Sequence, residues 1–180
     1  MGSEFVLQAK TGNLGSLMIT EPEYNDAVRN YARNIFRFLF KNLRDKQASD
    51  DLVQDCFLKL WQNRGSVDKA KMKSWLFTVA HHSMINYVKA EARKTGLDHA
   101  AVGLLTSSQS TKFELDELVE KSLQELPALQ RSIILLRDFE GYNYQEIGEI
   151  LQLNESQVKV YLFRARKRLK DSIKTLTAVL

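Results

Sequence analysis

The sequence has very little of several residue types, and each scarcity excludes a class of protein. A single cysteine, Cys56, among 180 residues excludes an internal disulfide and a zinc site built on paired thiolates, which fits a reducing compartment. The longest apolar stretches, such as Ile133–Leu136, fall far short of the roughly 20 residues of a membrane span, and no secretory leader opens the chain. We therefore expect a cytoplasmic protein without membrane insertion.

Proline and alternating strand patterns are scarce as well. Only Pro22 and Pro127 occur, and the apolar residues, 44% of the total, recur at intervals of three and four instead of alternating. This spacing predicts helix throughout the chain and no convincing strand. The expected fold class is therefore all-α, and the length allows one domain of average size or two small ones.

The first 17 residues show no helical period. The run Gly2-Ser3-Glu4-Phe5 resembles residues left by cloning sites. We interpret residues 1–17 as a cloning-derived tail, which would make Met18 the native start.

Residues 18–92 are predicted to form a bundle of three helices. The first runs from about Glu23 to Leu43, the second begins at Ser49 or Asp50 and ends by Gly65, and the third runs from about Met72 to Ala92. Each has one inward-facing side, formed by Val28, Tyr31, Ile35, Phe38 and Leu39, then by Val53, Cys56, Phe57 and Leu60, and then by Leu76, Val79, Ser83 and Tyr87.

Residues 93–112 lose this period, and we interpret them as a flexible linker because they include the polar run Thr106–Thr111. The period returns in residues 113–180, where four helices are predicted. Pro127 stands where a helix can start and Gly141 where it stops. Two capping-box patterns, Asn143-x-x-Glu146 and Asn154-x-x-Gln157, mark the starts of a short helix through Leu151 and of a long basic helix.

The last two predicted helices form a helix-turn-helix pattern, in which Gly148 permits close crossing and the second helix enters the DNA major groove. Between Glu155 and Lys174 there are seven cations and two anions. The DNA-contacting residues predicted in this helix are Lys159, Phe163, Arg164, Arg166, Lys167 and Arg168. The alternative is a solvated helix end, where cations also favour the helix dipole.

This second domain resembles region four of the extracytoplasmic-function sigma factors, which belong to the sigma-seventy family and give bacterial RNA polymerase its promoter specificity. The resemblance lies in the runs Leu126–Arg131, Ile134–Tyr142, Tyr144–Gly148, Val158–Lys159 and Phe163–Leu169. It implies that the long helix reads the minus-thirty-five promoter element, with Lys159, Phe163 and Arg164 at the DNA. The sequence departs from the family at Ser156-Gln157, where Gly-Thr is frequent, and at Val160-Tyr161, where Ser-Arg is frequent.

The first domain is similar to region two of the same family through the run Asp50–Trp61. The resemblance implies that this helix binds the clamp helices of the largest polymerase subunit, and the predicted contact residues are Asp51, Gln54, Asp55 and Leu58. A face that mixes carboxylates with an exposed leucine suits a basic protein partner. The alternative is a solvated acidic face with one exposed leucine.

The run Lys73–Ala80 resembles the family segment that opens the minus-ten element, and the predicted downstream contacts are Lys73, Trp75, His82 and Asn86. Aromatic faces near cations can hold unstacked bases. The family resemblance also implies that the loop 64–72 captures a flipped base. His82 stands where the family commonly has Asn, and Trp75 fits a buried position in the bundle equally well.

The sequence shows no catalytic constellation, no metal site and no cofactor motif. His81 and His82 are adjacent and point to different helix faces, and Cys56 is expected to be an inert core residue. We therefore expect a sigma factor and not an enzyme, with core RNA polymerase, promoter DNA and an anti-sigma factor as partners. The rivals are a dimeric helix-turn-helix regulator that binds duplex DNA without polymerase, and a small enzyme with an appended DNA-binding domain.

Overall fold

The computed structural model describes residues 18–95 and 114–177, which contain seven α-helices and no strand. The helices are α1 (Glu21–Leu43), α2 (Lys46–Gln62), α3 (Met72–Thr95), α4 (Glu114–Gln124), α5 (Ala128–Ile134), α6 (Tyr144–Leu151) and α7 (Glu155–Thr177). The predicted all-α class, with three helices followed by four, is confirmed. The predicted tail 1–17 and most of the predicted linker lie outside the described residues.

The helices α1, α2 and α3 pack on one another as a bundle in the first half of the chain, residues 18–95. Thr20 and Glu23 form a capping box at the start of α1, and Arg44 ends it in the left-handed conformation at φ 59°. The most deeply buried side chains of the bundle are Ile35, Phe38, Leu39, Cys56, Leu60, Leu76 and Phe77. None of the helices in the described residues combines the length and the apolarity that crossing a membrane requires.

Two helix boundaries differ from the prediction. The helix α2 begins at Lys46, because the Asp45 carboxylate accepts a bond from the Ala48 N–H at 2.9 Å and so takes the cap position expected at Ser49 or Asp50. The helix α3 continues to Thr95, three residues past the expected end. No helix breaker precedes Gly96, and Arg93 and Lys94 suit the negative end of the helix dipole.

The second half, residues 114–177, places α4, α5 and α6 against the long helix α7. One π-helical turn, Leu135–Phe139, follows α5, and Gly141 adopts a φ of 78° directly after it. Because a π-turn inserts an extra residue, it rotates the helix face. Phe139 is consequently 47% exposed, while Ile133, Ile134 and Leu136 are buried.

The two halves also pack against each other, which the sequence did not indicate. Helix α6 lies along α3, and α4 and α5 contact α1. The last carbonyls of α1 are satisfied from the second half, because Gln124 donates to Lys41 O at 2.9 Å and Arg131 donates to Asn42 O at 2.8 Å. As a result α3 buries Phe77, Ala80, His81 and Met84 as well as Leu76 and Ser83 of its predicted side, while Val79 and Tyr87 of that side are only half-buried.

Candidate functional site

The helix-turn-helix is formed by α6, the turn Gln152–Asn154 and the start of α7. Both predicted capping boxes are present: the Asn143 side chain accepts from Glu146 N at 2.9 Å, and the Asn154 side chain accepts from Gln157 N at 2.8 Å. Gln152 turns the chain in the left-handed conformation, at φ 57°. The buried side chains Ile147, Ile150, Val158 and Leu162 then hold the two helices together. The motif presents the N-terminal half of α7 to solvent.

Gly148 allows the chain to turn back closely on α6. A Cβ atom at this residue would lie 2.5 Å from the main-chain oxygen of Leu153, well inside the contact distance. The Leu153 N–H also donates to Gly148 O at 2.9 Å, so the turn has little freedom to move away. The absence of a side chain at residue 148 therefore sets the spacing between the two helices of the motif.

We expect Gly148→Val to lower the free energy of unfolding by about 2–3 kcal/mol, the usual cost of overpacking. The gain in helix propensity is only a few tenths of a kcal/mol and does not offset it. Chemical denaturation of the full chain measures the change. Glu149→Val, on the exposed side of the same helix, is the matched control and should cost under about 0.7 kcal/mol. Equal effects of the two substitutions would contradict the steric explanation.

All six residues predicted at the upstream element lie on the exposed surface of α7. Phe163 is 72% exposed, the largest value among the exposed large apolar side chains. Its neighbours on the same face are Arg164 and, one turn on, Lys167. An exposed aromatic ring beside cations suits a groove that offers thymine methyl groups between phosphate backbones.

Two of the five cations among these six residues already have carboxylate partners. Lys159 lies 2.6 Å from Glu155, and this hydrogen bond raises the pKa of the lysine. Arg166 pairs with Asp138 at 2.5 Å, which raises the pKa of its guanidinium. In the described part of the chain, no ion pair involves Arg164, Lys167 or Arg168. These three are the cations most available to phosphates.

Val160 is a residue of this face that the sequence reasoning did not select. It is 46% exposed and stands three positions before Phe163, so the two side chains are neighbours on the helix. The sequence signal for this pair was its spacing. Two apolar residues stand at i and i+3, on the side opposite the buried Val158 and Leu162. Val160 and Phe163 form an apolar pair in the middle of the basic surface.

The four residues predicted at the downstream element do not lie together. Trp75, His82 and Asn86 follow the spacing i, i+7 and i+11, which places them along one face of α3. His82 and Asn86 are exposed, and Trp75 is half-buried against the core. Lys73 lies on a different face, the one that meets the second half.

Lys73 is surrounded by groups of the second half. Its Nζ lies 3.4 Å from the main-chain oxygen of Glu140 and 3.8 Å from the Glu140 carboxylate. It also lies over the ring of Tyr142, 4.7 Å from its centroid, and that ring meets Phe77 edge-on at 5.4 Å. Tyr142 is 5% exposed, and burial raises the pKa of its phenol.

The face predicted to bind a protein partner is divided. Gln54 and Leu58 line an open groove between α1 and α2, together with Tyr24 and Trp61. Leu58 is 54% exposed, and the rings of Tyr24 and Trp61 lie 5.1 Å apart. This apolar groove, bordered by polar residues, is the part of α2 most suited to a protein helix.

The two predicted carboxylates lie beside this groove and do not line it. Asp51 accepts a bond from Gln47 at 3.0 Å, and Asp55 pairs with Lys59 at 2.7 Å and accepts from Ser83 at 3.1 Å. Cys56, one residue on, is fully buried, and burial raises the pKa of its thiol to about 12. The thiol is therefore protonated and unreactive at neutral pH.

Two family models match the chain, in the same order as the two halves of the structure. Residues 27–94 match "Sigma-70 region 2", and residues 116–169 match "Sigma-70, region 4". The first match covers α2 and α3 with their predicted contacts, and the second covers the helix-turn-helix.

Curated relatives match most of the chain. It is 32% identical over 144 residues to the ECF RNA polymerase sigma factor SigM of Bacillus subtilis strain 168, covering 78% of this chain and 88% of SigM. It is 29% identical over 156 residues to the RNA polymerase sigma factor YlaC of the same strain, covering 82% of this chain and 90% of YlaC.

Solved structures share the fold. The sigma factor RpoE of Bartonella quintana, in complex with the anti-sigma factor NepR, superposes with a TM-score of 0.71 at 24% identity, covering 84% of this chain and 97% of RpoE. CnrH, in complex with the cytosolic domain of CnrY, superposes with a TM-score of 0.64 at 17% identity, covering 87% of this chain and 90% of CnrH.

Proposed function

The chain belongs to the extracytoplasmic-function sigma factors of the sigma-70 family, and from this membership we propose how its two halves divide the recognition of a promoter. As a sigma factor it binds core RNA polymerase and directs promoter recognition and transcription initiation, and it is not itself an enzyme. The observation that carries this conclusion is the presence of both sigma regions, in family order, on the two halves of one helical fold.

The second half binds the minus-thirty-five element through α7. Phe163 and Val160 face the bases, and Arg164, Lys167 and Arg168 neutralise phosphates on either side. Lys159 and Arg166 join them by exchanging their carboxylate partners, Glu155 and Asp138, for DNA phosphates. Departures from the family pattern at Val160 and Tyr161 change the base preference of this helix.

The first half docks on polymerase and opens the minus-ten element. The groove lined by Gln54 and Leu58 receives a clamp helix of the largest subunit, with Asp51 and Asp55 along its edge. Trp75, His82 and Asn86 on the outer face of α3 hold the melted strand, and Lys73 contacts its backbone once the second half has moved away. The two proposed domains are residues 18–92 and 113–180, and the proposed linker between them is 93–112, although α3 extends three residues into it.

An anti-sigma factor is proposed as a further partner. The solved RpoE and CnrH structures are complexes with NepR and with the cytosolic domain of CnrY. Both resemble this chain in fold across most of its length. Because polymerase and DNA are its working partners, the chain acts in the cytoplasm.

Transcription with purified core polymerase on a genomic promoter library tests this function. Initiation should require both the chain and the core enzyme. The alternative function, a helix-turn-helix regulator, would bind duplex DNA without polymerase and would give no initiation. The curated relatives, which are sigma factors, do not favour this alternative.

Two single substitutions should distinguish the DNA-binding role of the second half from the polymerase-binding role of the first. Phe163→Ala is expected to weaken binding to the upstream element by about tenfold, the loss of one good base contact, while binding to core polymerase stays unchanged. Leu58→Ala is expected to weaken binding to core polymerase and to leave binding to the upstream element unchanged. Each variant is the control for the other, and a variant that lost both activities would contradict the division of roles. Fluorescence anisotropy with duplex DNA and with core polymerase measures the two affinities.

A further inference from the structure

Glu140 is a buried carboxylate whose partners come from the other half of the chain. Its side chain is only 4% exposed. One oxygen accepts from Asn34 Nδ2 at 2.8 Å, and the other accepts from Arg37 at 3.4 Å. Lys73 adds a second cation, with its Nζ 3.8 Å from the carboxylate and 3.4 Å from the main-chain oxygen of the same residue. Three polar side chains, two of them cationic, therefore converge from α1 and α3 on one anionic residue of the second half.

The positions of these three side chains do not depend on Glu140. Asn34 and Arg37 lie one turn apart on α1, and Lys73 lies at the start of the neighbouring α3, so the bundle alone positions all three. The side chains of Arg37 and Lys73 remain 49% and 34% exposed even with Glu140 in place. Separation of the halves would leave an open site with two positive charges and an amide donor.

The two promoter elements cannot be bound while the halves are in contact. Their names place them about 25 base pairs apart, which at roughly 3.4 Å per pair is about 85 Å along the duplex. In the structure the rings of Phe77 and Tyr142, one from each half, are 5.4 Å apart. Binding of both elements therefore has to pull Glu140 away from Asn34, Arg37 and Lys73.

On the basis of the promoter-binding role proposed above, we propose that Asn34, Arg37 and Lys73 form a binding site for a backbone phosphate of the melted promoter strand, and that Glu140 occupies this site as an internal substitute for the phosphate. A carboxylate and a phosphate present the same anionic oxygens to arginine, lysine and amide donors. Lys73 and Trp75 both belong to the first turn of α3, on different faces of the helix. The proposed site adds Arg37 and Asn34 of α1 to the DNA-binding surface. Because Glu140 and the phosphate bind the same side chains, contact between the two halves competes with DNA binding.

The test is the affinity of the full chain for a fluorescein-labelled oligothymidylate of about twelve nucleotides, measured by anisotropy at several salt concentrations. Glu140→Gln removes the competing charge and keeps the size of the side chain. We expect it to tighten binding about tenfold, the effect of losing one charge-assisted interaction. Glu125→Gln removes an exposed carboxylate of the same half and is the matched control, with an expected change under about twofold.

The added affinity must depend on the donors. In the Glu140→Gln chain, a second substitution Arg37→Ala should cancel most of the gain and reduce the magnitude of the salt slope by about 0.7, the value for one phosphate contact on a single strand. Replacing single phosphates of the oligonucleotide by neutral methylphosphonates should weaken binding to Glu140→Gln, and should matter less once Arg37 is also replaced. This pattern identifies a phosphate and not a base as the ligand.

Equal tightening by Glu140→Gln and Glu125→Gln would overturn the proposal, because it would reduce the effect to net charge. A gain that survives Arg37→Ala would overturn it as well. Thermal unfolding of each variant excludes loss of the fold as a cause. If the wild-type chain supports initiation with core polymerase while the oligonucleotide results fail, only the phosphate site is wrong; if initiation itself fails, the proposed function is wrong.

Discussion

Replacing Arg131 by methionine is expected to lower the free energy of unfolding by about 3–5 kcal/mol, as for other buried charged groups whose partners are left behind. Arg131 is 2% exposed. Its guanidinium donates to four main-chain oxygens, those of Leu123, Gln124, Leu126 and Asn42, at distances from 2.8 to 3.1 Å. No aliphatic side chain can replace these bonds, so each carbonyl would lose the guanidinium as a donor, and Leu123 O would keep only its 3.2 Å bond from the Leu126 N–H.

The size of the effect follows from the position of these oxygens. Two of them belong to the end of α4, one belongs to the turn between α4 and α5, and the fourth is near the end of α1 in the other half. Arg131 therefore stabilises a turn and the contact between the halves with one group. Burial lowers its pKa, but the planar fork with its several donors remains suited to main-chain oxygens.

Urea denaturation of Arg131→Met and of the wild type measures the change. Arg29→Met is the matched control, because Arg29 forms an ion pair with Asp26 at 3.0 Å while its side chain is 73% exposed. Such surface pairs contribute about 0–1 kcal/mol. Arg131→Lys keeps the charge but not the planar guanidinium with its several N–H donors, so it should recover less than half of the loss. A loss below about 1 kcal/mol for Arg131→Met would contradict the bonding pattern.

The stability of the chain is expected to fall steeply between pH 6.5 and pH 4 because of His81. This side chain is 8% exposed, and its Nδ1 has no hydrogen-bond partner. Burial first, and then the neighbouring His82, lower the pKa of His81 from 6.5 to about 4. Protonation is therefore disfavoured in the folded state and unhindered in the unfolded chain.

The sign of the dependence follows from these two pKa values. Above pH 6.5 the imidazole is neutral in both states, and His81 imposes no penalty. As the pH falls towards 4, the unfolded chain binds the proton first, so unfolding becomes easier. At pH 4.5 the loss amounts to about 2.5 kcal/mol, and it levels off at about 3.4 kcal/mol once the pH is well below 4.

Unfolding curves of the wild type and of His81→Leu at several pH values isolate this contribution. Other groups titrate in the same range, but they do so in both proteins. We expect the difference between the two free energies of unfolding to change by about 2–3 kcal/mol from pH 7 to pH 4.5. His82→Leu, at an exposed position, should reduce the wild-type pH dependence only in part, because His82 is the smaller of the two causes that lower the pKa of His81. Parallel curves for the wild type and His81→Leu would show that His81 does not titrate as the structure implies.

Much of the site was predictable because its features are local. The capping boxes at Asn143 and Asn154, the small residue Gly148 and the exposed cations of α7 all depend on spacing within a few residues, which sequence periodicity reports directly. Cys56 was predicted as an unreactive core residue from its place on the apolar face of α2, and its full burial agrees.

The partners of the predicted residues were not predictable, because they come from distant parts of the chain. Lys73 was selected with Trp75 as a downstream contact, yet it meets Glu140, 67 residues away. Arg166 was selected as a phosphate contact, yet it pairs with Asp138, 28 residues before it. Periodicity assigns a residue to a face of its own helix but says nothing about which helix covers that face.

By itself the sequence determined the all-α class, the number of helices in the described residues and the position of the helix-turn-helix, because helix formation, capping and surface charge are set by residues within a turn or two of each other. Only the tertiary structure decided that α3 is covered on two sides, that burial lowers the pKa of His81 and that Glu140 lies between Asn34, Arg37 and Lys73. Those outcomes depend on how the halves pack. Hydrophobic burial drives this packing but is non-directional, so the sequence of apolar residues does not specify which residues come into contact.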